Sequence, residues 1–114
     1  MSSTTETTPD APIQLTDEGD LEDAVETYDV VLADFYADWC GPCRMMEPAI
    51  EAVAANTDAA VVKIDVDSFQ GLAGRFGVQG IPALFLFVDG EPVDRLVGAQ
   101  SEAQLETAIE RHTE

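Results

Sequence analysis

The stretch ADWCGPCRMMEP, Ala37–Pro48, carries both cysteines of the chain, three positions apart, with Gly41 and Pro42 between them and Trp39 just before. Upstream lies VVLADFYA, Val30–Ala37, a mostly apolar segment rich in β-formers that reads as a buried strand. Downstream, Met46, Ile50 and Val53 mark one face of a helix, and Pro48 inside that pattern is expected to kink it. The cysteine pair therefore stands at a strand-to-helix turn.

The flanking sequence builds a fold around that turn. Leu21, Val25 and Tyr28 recur at helical spacing behind acidic first-turn residues and predict a helix over Asp20–Tyr28. AAVVKIDVD, Ala59–Asp67, reads as a strand, and Phe69, Leu72 and Phe76 sketch a short helix interrupted by Gly71 and Gly74. ALFLFV and PVDRLVG are two strands joined around Asp89-Gly90, a strong hairpin signal. Pro92 cannot donate to a ladder, which marks the second of them as an edge. Ser101 and Gln104 form a capping box, and Leu105, Ala108 and Ile109 give the last helix its apolar face. Alternating strands and helices, then a hairpin and a closing helix, predict an α/β fold with a mixed sheet.

A chain of 114 residues suits one domain, and its 46% hydrophobic and 25% charged content belongs to a soluble globular protein. Residues 1–12, MSSTTETTPDAP, lack a basic start and an apolar run, so they read as a disordered tail and not as a signal or anchor; residues 13–114 are the domain. The longest apolar run, Ala83–Val88, is far short of the roughly 20 residues of a membrane span. A cytoplasmic location follows as the expectation, and there structural disulfides are rare. With 23 acidic residues against 5 basic ones and a net charge of -18, the chain lacks the basic clusters that nucleic acid or an anionic membrane would require. Such acidity, with Lys63 as the only lysine, points to a high-salt cytoplasm, where self-repulsion is screened; a merely soluble acidic surface is the alternative.

Two close thiols can staple, bind metal or exchange. A metal site needs about four ligands, and the only further soft candidate is His112 near the C-terminus, so no metal is expected. A staple closing so short a loop gains little entropy. Reversible dithiol chemistry remains. Unpaired N–H groups and the dipole at a helix start stabilise a thiolate, which makes Cys40 the nucleophile and Cys43, one turn inside the helix, the thiol that resolves a mixed disulfide. Gly41 lets a substrate approach, and Pro42 suits a first helical turn.

ADFYADWCGPCRMMEP, the GIP of Gly80–Pro82, the VDGE hairpin and the VGAQS segment together resemble the thioredoxin family, in its order and spacing, from about Ile13 to Arg111. The resemblance implies the thioredoxin fold, a central mixed β-sheet flanked by helices. It also implies a protein-disulfide reductase with no cofactor beyond the Cys40–Cys43 redox pair, electrons from a thioredoxin reductase and protein disulfides as substrates; a monomer is the separate expectation. Pro82 would be the family's cis-proline, with the Ile81 backbone pairing to an extended substrate, and Trp39, Gly41, Pro42, Gly80, Gly98 and Ala99 would line the substrate surface. Asp34 interrupts an apolar strand, where burial should raise its pKa into the range useful for proton exchange with the resolving thiol; the family has its buried acid here. Lys63, inside VVKIDV, matches the family lysine that partners that acid, the alternative being an edge lysine that keeps the sheet soluble. Tyr36 and Ala83 depart from the family's usual tryptophan and threonine. Two rival readings stay open: an oxidant or isomerase on the same fold, separable by reduction potential (about -270 mV for thioredoxin against about -120 mV for a strong oxidant), and a binding module whose thiols are incidental.

Overall fold

The computed structural model describes residues 7–113. Its elements run β1 (Ile13–Gln14), α1 (Asp20–Thr27), β2 (Val30–Tyr36), α2 (Gly41–Met45), α3 (Glu47–Asn56), β3 (Ala60–Asp65), α4 (Gln70–Arg75), β4 (Ala83–Val88), β5 (Glu91–Val97) and α5 (Glu102–Thr113). The five strands form one mixed sheet in the order β1-β3-β2-β4-β5. β3 runs parallel to β1 and β2, whereas β4 runs antiparallel to β2 and β5. The expected mixed sheet flanked by helices is therefore present.

Strand alternation divides the core into two layers. Val31, Ala33 and Phe35 of β2 face one side with Ala60, Val62 and Ile64 of β3 and Phe85 and Phe87 of β4, covered by Leu21 and Ala24 of α1 and Leu72 and Ala73 of α4. Leu32, Val61, Leu84 and Leu86 face the other side, covered by Ile50 and Val53 of α3 and Leu105 and Ile109 of α5. β2 lies in the middle, and six of its seven residues are buried, which explains its near-continuous apolar reading.

Several boundaries differ from the sequence reading for local reasons. β1 has no counterpart in that reading; two residues are too few for a periodic signal, and only the ladder to Val62 and Lys63 makes them a strand. α1 stops at Thr27 because Tyr28 is already extended. β3 ends at Asp65, whose carbonyl accepts the Ser68 and Phe69 N–H groups and whose Oδ1 accepts from Asp67 N–H, turning the chain two residues early. The expected kink at Pro48 is a full break: α2 and α3 meet at Met46, and Pro48, in the first turn of α3, has no N–H to continue the ladder. The hairpin turn forms at Asp89 and Gly90, both at positive φ, 53° and 85°. β5 is an edge strand, as Pro92 indicates. The capping box is made in both directions, Ser101 N–H to Gln104 Oε1 at 2.8 Å and Gln104 N–H to Ser101 Oγ at 3.1 Å. Of the expected tail, residues 1–6 lie outside the described residues, and residues 7–12 form no helix or strand.

Phe76, the C-cap of α4, ties the first layer together. Its ring centroid lies 5.6, 5.2 and 6.0 Å from those of Phe35, Phe85 and Phe87, in the tilted and edge-on geometries that aromatic quadrupoles favour. Phe76→Ala is expected to cost about 3 kcal/mol, read as a lower urea midpoint at constant m, with disulfide reduction per folded molecule unchanged.

Candidate active site

β2 delivers the chain to the active-site helix. Past Tyr36, Cys40 is held by its own N–H to Ala37 carbonyl oxygen at 3.1 Å, and it occupies the N-cap of α2 in extended conformation. Cys43 N–H donates to Cys40 Sγ at 3.2 Å. The sulfur thus does what a serine or aspartate oxygen does at an ordinary N-cap, so charge on it is stabilised by a backbone donor and the helix end. Cys40 and Cys43 are joined as a disulfide with their Cα atoms 5.3 Å apart. Both residues are buried in this oxidised state, so burial does not distinguish them; position does, with Cys40 at the cap and Cys43 within the helix.

The surface around the sulfurs comes from three further loops. The Ile81-Pro82 peptide bond is cis, and Cys40 Sγ lies 3.9 Å from the Ile81 carbonyl oxygen. Pro82 carbonyl oxygen accepts Gly98 N–H at 2.8 Å, and Gly98 takes a positive φ of 92° that only glycine adopts without strain. This brings Gly80, Ile81, Gly98 and Ala99 to the same end of the sheet as Trp39, Gly41 and Pro42. Trp39 is 68% exposed, an unusual position for a tryptophan, and its indole N–H is held by Asp67 Oδ2 at 2.9 Å.

Sequence reading misses part of this rim. Asp67 reads as a strand end, Met45 and Val97 are large apolar side chains left 82% and 58% exposed, and Met46 Sδ accepts Gln100 N–H at 3.4 Å, linking the helix break to the 98–100 loop. The outward phase of Val97 in EPVDRLV is the one available signal. The Asp67 and Gln100 contacts join segments distant in sequence and leave none.

Asp34 lies on β2, two residues before Tyr36 and paired between Lys63 of β3 and Leu84 of β4. It is the only buried charged residue among those described, at 2% exposure, and its Oδ1 has no hydrogen-bond partner among them. Loss of solvation raises its pKa to about 7, with Lys63 opposing that rise and Glu47 adding to it. Lys63 sits directly beside Asp34 in the β2–β3 register, on the same face of the sheet. β3 is an inner strand, so Lys63 does not serve as an edge residue. Its ammonium bonds Glu47 Oε2 at 3.2 Å and lies 4.5 Å from the centre of the Tyr36 ring. No cluster of three or more side chains able to ligate a metal occurs among the described residues, and none of the helices there is long and apolar enough to cross a membrane.

This geometry is shared with known proteins. The family profile described as thioredoxin matches residues 12–111. A thioredoxin of Staphylococcus saprophyticus is 42% identical over 104 residues, covering 90% of this chain and 98% of its own, and one of Mycobacterium tuberculosis is 45% identical over 97 residues, covering 83% and 84%. The solved structure of a point mutant of the thioredoxin from Halobacterium salinarum superposes with a TM-score of 0.91 at 53% identity, covering 96% of both chains. With a Cys40–Cys43 disulfide whose first cysteine caps a helix at the end of the central strand and likeness along nearly its whole length, the chain belongs to the thioredoxin family, the cofactor-free thiol–disulfide oxidoreductases.

Proposed function

We propose that the chain is a general protein-disulfide reductase of a salty cytoplasm, in which Cys40 attacks, Cys43 resolves and Asp34 carries the proton. The observation that carries this reading is the N-cap itself: one sulfur receives the Cys43 N–H and the other does not. In the reduced protein the Cys40 thiolate attacks one sulfur of a substrate disulfide, forming a mixed disulfide and expelling the other substrate sulfur as a thiolate. The Cys43 thiol gives its proton to the Asp34 carboxylate and attacks Cys40 Sγ. The second substrate thiolate leaves, the Cys40–Cys43 disulfide closes, and two electrons have passed to the substrate. A carboxyl titrating near 7 is poised to accept that proton and release it again. A thioredoxin reductase would return the pair to the dithiol, and a compartment kept reducing suits such a cycle.

Trp39, Gly41, Pro42, Gly80, Ile81, Gly98 and Ala99 would receive the substrate, with the Ile81 backbone pairing to an extended segment beside Pro82. The chemistry needs only one copy of the chain. Lys63 would hold the charge balance around Asp34.

The acidic surface supports the salt assignment together with the likeness to the Halobacterium protein. Glu102, Glu106 and Glu110 follow one another at four-residue spacing on α5, where like charges repel. The Glu106 pKa is raised, first by a hydrogen bond shared with Glu102 and further by the charges of Glu102 and Glu110.

Three measurements test these assignments. Cys40→Ser is expected to abolish dithiol-driven reduction of insulin, while Cys43→Ser accumulates mixed disulfides; robust turnover by either variant overturns the roles.

Asp34→Asn is expected to slow reduction and stabilise the fold at pH 8. The folded pKa exceeds the unfolded one, so the wild-type contribution is intact below about pH 4, is lost as pH rises towards 7, and stays lost above it. A rise from the ordinary carboxylate range to about 7 corresponds to about 4 kcal/mol. A buried amide keeps part of that cost, leaving a net gain of about 2 kcal/mol at pH 8 that disappears near pH 4. A melting temperature at pH 8 no higher than wild type, with unchanged activity, removes Asp34 from the proton path.

The melting temperature is expected to rise from about 0.1 to about 1 M KCl, as the Debye length shrinks from about 10 to about 3 Å. Sulfate serves as the salting-out comparison. Neutralising Glu22, Glu26, Glu106 and Glu110 together should flatten the KCl slope; a slope that is already flat, or unchanged in that variant, defeats the assignment.

A further inference from the structure

The ammonium of Lys63 is committed to a carboxylate other than the one it neighbours. Lys63 and Asp34 are paired in register on adjacent strands and share the face covered by α3. Yet the only hydrogen bond made by Lys63 Nζ among the described residues goes outward to Glu47 Oε2 at 3.2 Å, with the Tyr36 ring beneath it at 4.5 Å. Asp34 Oδ1 is left without a partner. Glu47 is the first residue of α3, fixed there by the helix break at Met46, and its side chain is 45% exposed.

We infer that Glu47 is a positioning residue for the exchange reaction: by anchoring the Lys63 ammonium at its own carboxylate, it denies Asp34 a direct ion pair and keeps the Asp34 carboxyl available as a proton carrier. A direct Lys63–Asp34 pair would hold the carboxylate ionised, because an opposite charge within about 4–6 Å lowers a carboxyl pKa by about 1–3 units. A permanently ionised Asp34 could not cycle its proton near neutral pH. A lone Lys63 with no outer anchor has the reach and three donors to make that pair. The other ladder offers no charge: β4 places apolar Leu84 opposite Asp34 in register, and the next β2 residue on the same face, Tyr36, accepts Gln14 Nε2–H at its hydroxyl; the one charged side chain of α2, Arg44, is exposed. Burial raises the Asp34 pKa most, the Lys63 charge lowers it and the Glu47 charge raises it directly; that direct repulsion is the rival effect that the double variant separates from positioning.

This inference rests on the proposed role of Asp34 for its functional meaning, but not for its test. The Asp34 carboxyl is titrated by carbon NMR in the oxidised full-length chain at molar KCl, for wild type, Glu47→Gln, Lys63→Met and the double variant. Glu47→Gln is expected to lower the midpoint by about one unit, Lys63→Met to raise it, and the double variant to fall below Lys63→Met by much less than Glu47→Gln falls below wild type. An unmoved midpoint in Glu47→Gln overturns the inference. So does an equal fall in the Lys63→Met background, which would mean that Glu47 acts by direct repulsion and not through the lysine. The pH profile of insulin reduction is recorded in parallel, and its limb should shift in Glu47→Gln with the NMR midpoint. Should Asp34→Asn leave that profile unchanged while the NMR shifts hold, the proton-carrier reading of Asp34 fails and the positioning of Lys63 by Glu47 stands.

Discussion

The Cys40 sulfur stands where it does because β2, the strand that leads to it, is paired along its length on both sides. Val31–Tyr36 match β3 in parallel register and Val30–Phe35 match β4 antiparallel. A central strand fixed in this way cannot slip by one residue without moving every side chain to the opposite layer. Its end is therefore a fixed point, and α2 begins from it. The cis Ile81-Pro82 bond lies immediately before β4, and the Gly98 loop immediately after β5. Three segments far apart in sequence thus converge at one end of the sheet because strand pairing leaves them nowhere else to go. The chemistry is borne by loops and the accuracy by the ladders.

The same strand accepts one costly residue. Beside Lys63 but not bonded to it, Asp34 gives up solvation without an ion pair among the described residues, and burial raises its pKa to about 7. Tyr36, two residues on, faces the same side and forms part of the floor for the lysine next door. Val62 and Ile64 bracket Lys63 and point to the opposite layer. An acid held in an apolar core beside a lysine does not stabilise the fold at neutral pH; its retention is the cost that the proposed proton-carrier role would explain.

Much of this is legible in the sequence, for identifiable reasons. β2, β3 and β4 announce themselves because strands buried on both faces are nearly continuous runs of apolar residues. The hairpin shows because Asp89-Gly90 is one of the few pairs that tolerate positive φ at both positions, and the last helix shows because its cap is a side-chain pattern. What escapes is what pairing or distance creates. β1 exists only through β3. The break at Met46 is stronger than a kink because Pro48 occupies the first turn of a new helix. Glu47 looks like any surface acid in a chain with 23 acidic residues, and only the fold brings it to Lys63, sixteen positions away. The acid and lysine of the site stand out because each violates the apolar pattern of its strand; Trp39, by contrast, violates no local pattern, and its exposure is visible only in three dimensions.

One edge of the sheet is β5, whose outer side faces no other strand among the described residues. In dilute buffer a charge of -18 alone would keep such edges of separate molecules apart, but at molar ionic strength that long-range repulsion extends only about 3 Å. Solubility must then be secured by shape at contact distance. Pro92 removes a donor from the edge, the register shift between Leu86 and Phe87 interrupts the ladder beside it, and exposed Arg95 folds back over the Phe85 ring to bond the Gly77 carbonyl oxygen. If the chain works in the concentrated salt proposed for it, its colloidal stability rests on the geometry of its edge strand, because the solvent screens the charges.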